Sequence, residues 1–126
     1  MFSHIMIGAN DIEASRKFYN ATLGALGARE ASENNGRLVY MHNGGLFLVT
    51  KPIDGGEACH ANGGTIGFAA SSPEQADAWH AAGVANGGTP IEDDPGVREG
   101  AFGKLYLAYL RDPAGNKICA MHRIPA

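Results

Sequence analysis

Two stretches of the chain follow the same plan. His4-Ile5-Met6-Ile7 leads into Asn10-Asp11 and a mixed polar and apolar segment ending at Phe18-Tyr19. Thr65-Ile66-Gly67-Phe68 leads into Ser71-Ser72 and a similar segment ending at Trp79-His80. The offset, from His4 to Thr65 and from Phe18 to Trp79, is 61 residues, about half of the 126-residue chain. Such a repeat predicts one supersecondary unit built twice. A strand–helix–strands unit cannot cover its own apolar face, so each copy must bury it against the other. The space between two such copies is where a ligand would sit.

Each copy reads as β-α-β-β-β. Residues 2–8 form a short apolar run and predict a strand. Asn10 is a suitable N-cap, and Asp11 suits the positive end of a helix whose buried face carries Ile12, Ser15, Tyr19 and Leu23. Leu23-Gly24 ends that helix. Residues 25–32 predict a second strand, Asn34-Asn35-Gly36 a hairpin turn, Arg37 to His42 a third strand and Leu46 to Lys51 a fourth. A Gly-rich connector follows. In the second copy Ser72 caps a helix, Pro73 occupies its first turn and Gln75 completes a capping box, with Ala76, Trp79, His80 and Val84 as the buried stripe. Residues 89–92 predict a short strand, 93–103 a polar loop, Lys104 to Arg111 a strand, Asp112 to Asn116 a turn and Lys117 to His122 the last strand. The expected organisation is a single domain over 1–126. Module one covers about 1–52, a connector about 53–63, and module two about 64–126.

Composition narrows the function. The formal net charge is −3 with no run of Lys or Arg, which argues against nucleic acid and anionic membrane as partners. No apolar stretch is long enough for a transmembrane helix, and the first residues lack the pattern of a signal peptide, so the cytoplasm is the expected compartment. In a reducing compartment the two cysteines, Cys59 and Cys119, are expected as free thiols. The 18 glycines compare with roughly 7% in average usage. Their pairs fall between apolar runs, as the turns of a sheet-rich fold would place them.

Several of these residues together resemble the glyoxalase/bleomycin-resistance/extradiol-dioxygenase superfamily, also called the vicinal oxygen chelate proteins. They are His4 in the opening strand, Asn10-Asp11 opening the helix, and Phe18-Tyr19 with Leu23-Gly24 closing it. The most specific is the run Arg111-Asp112-Pro113-Ala114-Gly115-Asn116-Lys117-Ile118. The resemblance spans essentially the whole chain. It implies an α+β fold of two tandem βαβββ modules forming a cup-shaped mixed sheet, and a homodimer. It also implies where metal-binding members would place their ligands: His4 and Thr65 on the first strands, and Leu48 (or Val49) and Cys119 on the last ones. Only His4 matches the usual ligand set. Leu48 cannot ligate, Thr65 is a poor ligand, and Cys119 would ligate only as a thiolate, which favours an ion such as zinc.

The period-two pleat supports that placement. If His4, Leu48, Thr65 and Cys119 face the cup, then Met6, Leu46, Thr50, Gly67, Ala69, Lys117 and Met121 do as well. The opposite set is Ile5, Ile7, Phe47, Val49, Ile66, Phe68, Ile118 and Ala120. It is uniformly apolar, as a helix-covered face must be. His122, three residues after Cys119, faces away from it. Cys59-His60 lies in the connector with no signal that it folds inward. In the 93–103 loop, Arg98 is a candidate for binding an anionic group and Phe102 for packing on an apolar one; the alternative is a solvated loop.

The function expected is binding of a small organic molecule in the cup, by His4, Thr65, Cys119, Leu48, Arg98 and Phe102, with no catalytic residue assigned and no cofactor. The alternative is a metal-dependent glyoxalase-type lyase, isomerase or dioxygenase. It would use zinc, nickel, iron or manganese held by His4, Cys119 and further ligands.

Overall fold

The computed structural model describes residues 1–126. Module one runs β1 (Ile5–Gly8), α1 (Ile12–Ala25), β2 (Ser32–Asn34), β3 (Arg37–His42) and β4 (Gly45–Thr50). Module two runs β5 (Ile66–Ala69), α2 (Pro73–Ala85), β6 (Thr89–Pro90), β7 (Gly96–Gly100), β8 (Gly103–Arg111) and β9 (Lys117–Arg123). The first sheet has the order β1-β4-β3-β2 and the second β5-β9-β8-β6, with β7 also on β8. In each, the first strand lies parallel to the last one and the remaining pairs are antiparallel. This is the expected α+β arrangement of two similar modules whose sheets form a cup. No helix is long and apolar enough to cross a membrane.

Four local expectations are corrected. The N-cap of α1 is Asp11, not Asn10: Asp11 Oδ1 accepts from Ala14 N at 3.0 Å. Asn10 instead binds the connector, donating to Glu57 at 2.8 Å and accepting from Ala58 N at 2.7 Å. Residues 25–32 are not a strand. The α1 end winds into a left-handed turn at Gly27 (φ 96°), where Ala28 N returns to Leu23 O at 2.9 Å, and pairing begins only at Ser32. The 93–103 loop contains a strand, because β7 folds back on β8 through a two-residue turn between Gly100 and Gly103. Val84 is 46% exposed, and the buried stripe of α2 is Ala76, Trp79 and Gly83, with His80 half-buried. A glycine takes the inward place because α1 and β8 come too close for a side chain. The Ser72 cap is present, with Gln75 N donating to Ser72 Oγ at 3.1 Å, while the Gln75 side chain returns to Ser71 N at 2.7 Å.

One core joins both modules. Tyr19 of α1 packs against Phe47 of β4 at 5.0 Å between ring centroids, and Phe47 meets Phe68 of β5 edge to face at 5.2 Å. The helix-facing residues Val49, Ile118 and Ala120 are fully buried, as the pleat requires. A buried polar network ties the modules further. Tyr19 Oη donates to Asp112 Oδ2 at 2.6 Å, and Asn116 Nδ2 donates to the same oxygen at 2.9 Å and to Gly8 O at 3.1 Å. Burial, reinforced by the Asp112 carboxylate, holds the Tyr19 phenol well above its ordinary value, so it donates.

Candidate functional site

β1 and β5 are the terminal strands of the two sheets; they share no hydrogen-bond ladder, and residues of both line two common cavities along a seam. At one end of this seam Asn116 reaches Gly8, and at the other Ile5 and Ala69 line a common cavity, so the strands pass in opposite directions. The cup floor lies along the seam. Register puts Met6 beside Leu48 in one sheet, and Gly67, Cys119 and Tyr109 in one row across the other. Gly67 and Ala69 are exposed and leave room above the floor, while Met6 is 46% exposed.

The six residues singled out from sequence are distributed unevenly. Leu48 lies half-buried in mid-β4, and Cys119 is 6% exposed in mid-β9. His4 is exposed ahead of β1, with Nδ1 2.8 Å from Ser3 Oγ. Thr65 is exposed ahead of β5 and lines a cavity of about 270 Å³ with Met6, Asn116, Lys117, Cys59 and His60. The connector therefore does fold against the seam, a placement that no periodicity could signal. His4 lines neither this cavity nor the seam cavity bordered by Ile5. Arg98 is engaged by its own turn, donating to the carbonyls of Asp93 and Asp94 at 3.1 Å and of Gly96 at 3.0 Å. Phe102 sits at the β7–β8 hairpin tip, 75% exposed.

Lys117, which the pleat already turns to the cup, lies beside the row of Gly67, Cys119 and Tyr109. Lys117 forms an ion pair with Glu92 and lies over the Tyr109 ring, its Nζ 5.1 Å from the centroid. Tyr109 joins the floor through its cross-strand register with Cys119. His122 points away from Cys119, its Nδ1 3.1 Å from Ala70 O on the other face.

These residues do not fit a chelated divalent ion. No three His, Cys, Asp or Glu side chains are grouped to hold one, whereas a closed site needs three or four protein ligands. Burial pushes the Cys119 thiol up to about 11, only partly opposed by Lys117, so at neutral pH it is a protonated, weakly polar group. Iodoacetamide at pH 8 is therefore expected to modify the exposed Cys59 and leave Cys119 intact in the folded protein. Peptide mass mapping checks this, and equal labelling of both would show that the Cys119 thiol ionises readily.

The Glyoxalase/Bleomycin resistance protein/Dioxygenase superfamily profile matches residues 1–120. No curated protein sequence matches the chain. A crystal structure of a glyoxalase/bleomycin resistance protein from Albidiferax ferrireducens T118 is 62% identical, with TM-score 0.96, covering 98% of this chain and 99% of that one. A glyoxalase-related enzyme from Fulvimarina pelagi (19% identity, TM-score 0.73, 98% and 88% covered) shares the fold. So does the lactoylglutathione lyase from Agrobacterium tumefaciens (21% identity, TM-score 0.67, 97% and 92% covered). With the profile spanning nearly the whole chain, and the paired modules and cup in place, this protein belongs to the glyoxalase/bleomycin resistance protein/dioxygenase superfamily.

Proposed function

We propose that the protein binds a small organic molecule in the cup, and that it does so as a homodimer without a chelated metal. The observation that carries this reading is the character of the floor. Met6, Leu48, Gly67 and Cys119 offer apolar, thioether and neutral thiol surface with space above it. The one ammonium nearby, Lys117, is already paired with Glu92. Such a surface favours an uncharged or polarisable ligand over a chelate, because an unpaired buried charge costs far more than apolar contact returns. Exposed Met6, Met41, Val97 and Phe102 are apolar surface of the kind a second copy would cover.

The test joins metal titration with mass measurement. Untagged protein is expected to retain no tight zinc, nickel, iron or manganese, with weak binding unchanged in His4→Ala, and to sediment at about twice the 13.2 kDa of one chain. An uncharged apolar dye, N-phenyl-1-naphthylamine, is expected to gain fluorescence on binding in the cup, a gain lost in Met6→Glu. One tight equivalent of metal, abolished by both His4→Ala and Cys119→Ala, would replace this reading with a metal-dependent lyase, isomerase or dioxygenase.

A further inference from the structure

The seam cavity bordered by Ile5 and Ala69 has a volume of about 270 Å³. Gly67, Ala69 and Leu46 of the cup face line it together with Ile5, Phe47 and Phe68 of the helix-facing set. A space lined from both faces passes through the gap between the two sheets, so this cavity is an inward extension of the cup. No Asp, Glu, Lys or Arg lines it, and His42 is its one basic side chain. The Tyr40 hydroxyl on its wall is already committed, donating to Asn20 Oδ1 at 2.8 Å.

A polar groove of about 540 Å³ adjoins this cavity along β3, just ahead of the first residue of β2. His42 and Asn43 line both spaces, and the groove adds Arg29, Glu30 and Ser32. The left-handed turn at Gly27 fixes the junction. A Cβ on Gly27 would stand 3.6 Å from His42 Cε1, so the half-buried imidazole lies against the backbone two residues before Arg29. Arg29 takes part in none of the chain's ion pairs. Glu30 leans toward Asn20, whose Nδ2 lies 3.5 Å from its Oε2. The mouth of an aromatic-walled cavity thus carries an imidazole and an unpaired guanidinium.

We propose that the cup takes a small aromatic carboxylate, with the ring in the seam cavity and the carboxylate in the groove against His42 and Arg29. This rests on the cup as the ligand site and names the class of ligand. Size supports it: a cavity of about 150 Å³ holds benzene, so this one admits a ring with a short chain. The ring packs against Phe47 and Phe68. Guanidinium presents a planar fork that matches a carboxylate, and imidazole has an N–H to donate in either protonation state. The charge stays at the wet rim, where it keeps part of its hydration, and the apolar floor meets only the uncharged part of the ligand.

Hydrocinnamate and its uncharged analogue hydrocinnamyl alcohol are the probes, read by amide chemical shifts of the full chain. Hydrocinnamate is expected to shift Asn43, Phe47, Gly67 and Phe68 in a saturable way. The alcohol is expected to shift the cavity amides and to bind about fivefold more weakly, the scale of a partly exposed ion pair. In the double variant Arg29→Gln/His42→Gln that advantage is expected to vanish while the alcohol binds as before. Arg29→Gln alone changes an exposed side chain. It keeps the test open if the His42 change disturbs the end of α1, and it is expected to weaken hydrocinnamate about threefold. Equal binding of the two probes, or an advantage that survives both substitutions, would overturn the carboxylate site and leave the cup reading standing. Shifts confined to Met6, Leu48 and Cys119 would do the same. No saturable shift by either probe would also overturn it, and with no gain in dye fluorescence the cup reading would fall as well.

Discussion

Asp112→Ala is expected to lower the unfolding free energy by about 3–5 kcal/mol, the usual cost of removing one member of a buried, charge-assisted network. The carboxylate is 3% exposed and accepts four hydrogen bonds besides its role in the turn backbone: from Tyr19 Oη, Ala114 N, Asn116 N and Asn116 Nδ2. Without it the Tyr19 hydroxyl keeps its buried place between Phe18, Phe47 and Phe68 with no acceptor. The Asn116 amide that holds Gly8 loses its second anchor, so the link between the modules loosens along with the turn. Tyr19→Phe removes one of these bonds and keeps the ring, so about 1–2 kcal/mol is expected for it. Urea unfolding of the three proteins measures both differences. An Asp112→Ala loss below about 0.5 kcal/mol, the size of an ordinary surface change, would show that the network contributes little beyond its packing.

Gly83→Val is expected to cost about 3 kcal/mol, at the upper end of overpacking effects. A Cβ at Gly83 would stand 2.2 Å from Leu110 Cδ1 and 3.2 Å from both Phe18 Cε1 and Thr22 Cγ2. Leu110, Phe18 and Thr22 are fully buried, so none can move into open space. Helix propensity works the other way, since glycine in a helix interior is about 1 kcal/mol worse than alanine; the steric cost is the larger of the two. The double variant Gly83→Val/Leu110→Ala is expected to recover part of the loss, and a double-mutant cycle of melting data reads the coupling. Strict additivity would mean that α2 does not press on β8 at Leu110.

The two changes act on residues whose legibility in the sequence differed. Asp112 stands in the run that carries the strongest family signal, yet it reads locally as turn chemistry. Its long-range bond to Tyr19, 93 residues away, is invisible to any local pattern. Gly83 sits inside a helical stripe where Val84 looked the better core residue. Periodicity finds a face to within about one residue, and only the approach of α1 and β8 decides which residue must lack a side chain. The 93–103 segment failed as a strand prediction for a related reason. Gly96, Glu99 and Gly100 have poor strand propensity, and pairing with β8 overrides it.

The repeat, the alternation of apolar residues and the turn signals were enough to determine two strand–helix–strands modules and the face each strand turns to the helices; the cup was implied by the family resemblance, and β7 was missed. Modules and faces follow from local geometry, in which side-chain direction repeats every two residues in a strand and about every 3.6 in a helix. Which candidate residues meet was decided only by tertiary structure. Strand register set Cys119 beside Gly67 and Tyr109 rather than Thr65, the β7 turn consumed Arg98, and the connector brought Cys59 and His60 to the seam. Register and loop placement depend on contacts between residues far apart in the chain, and a one-residue slip that leaves local preferences untouched changes every neighbour.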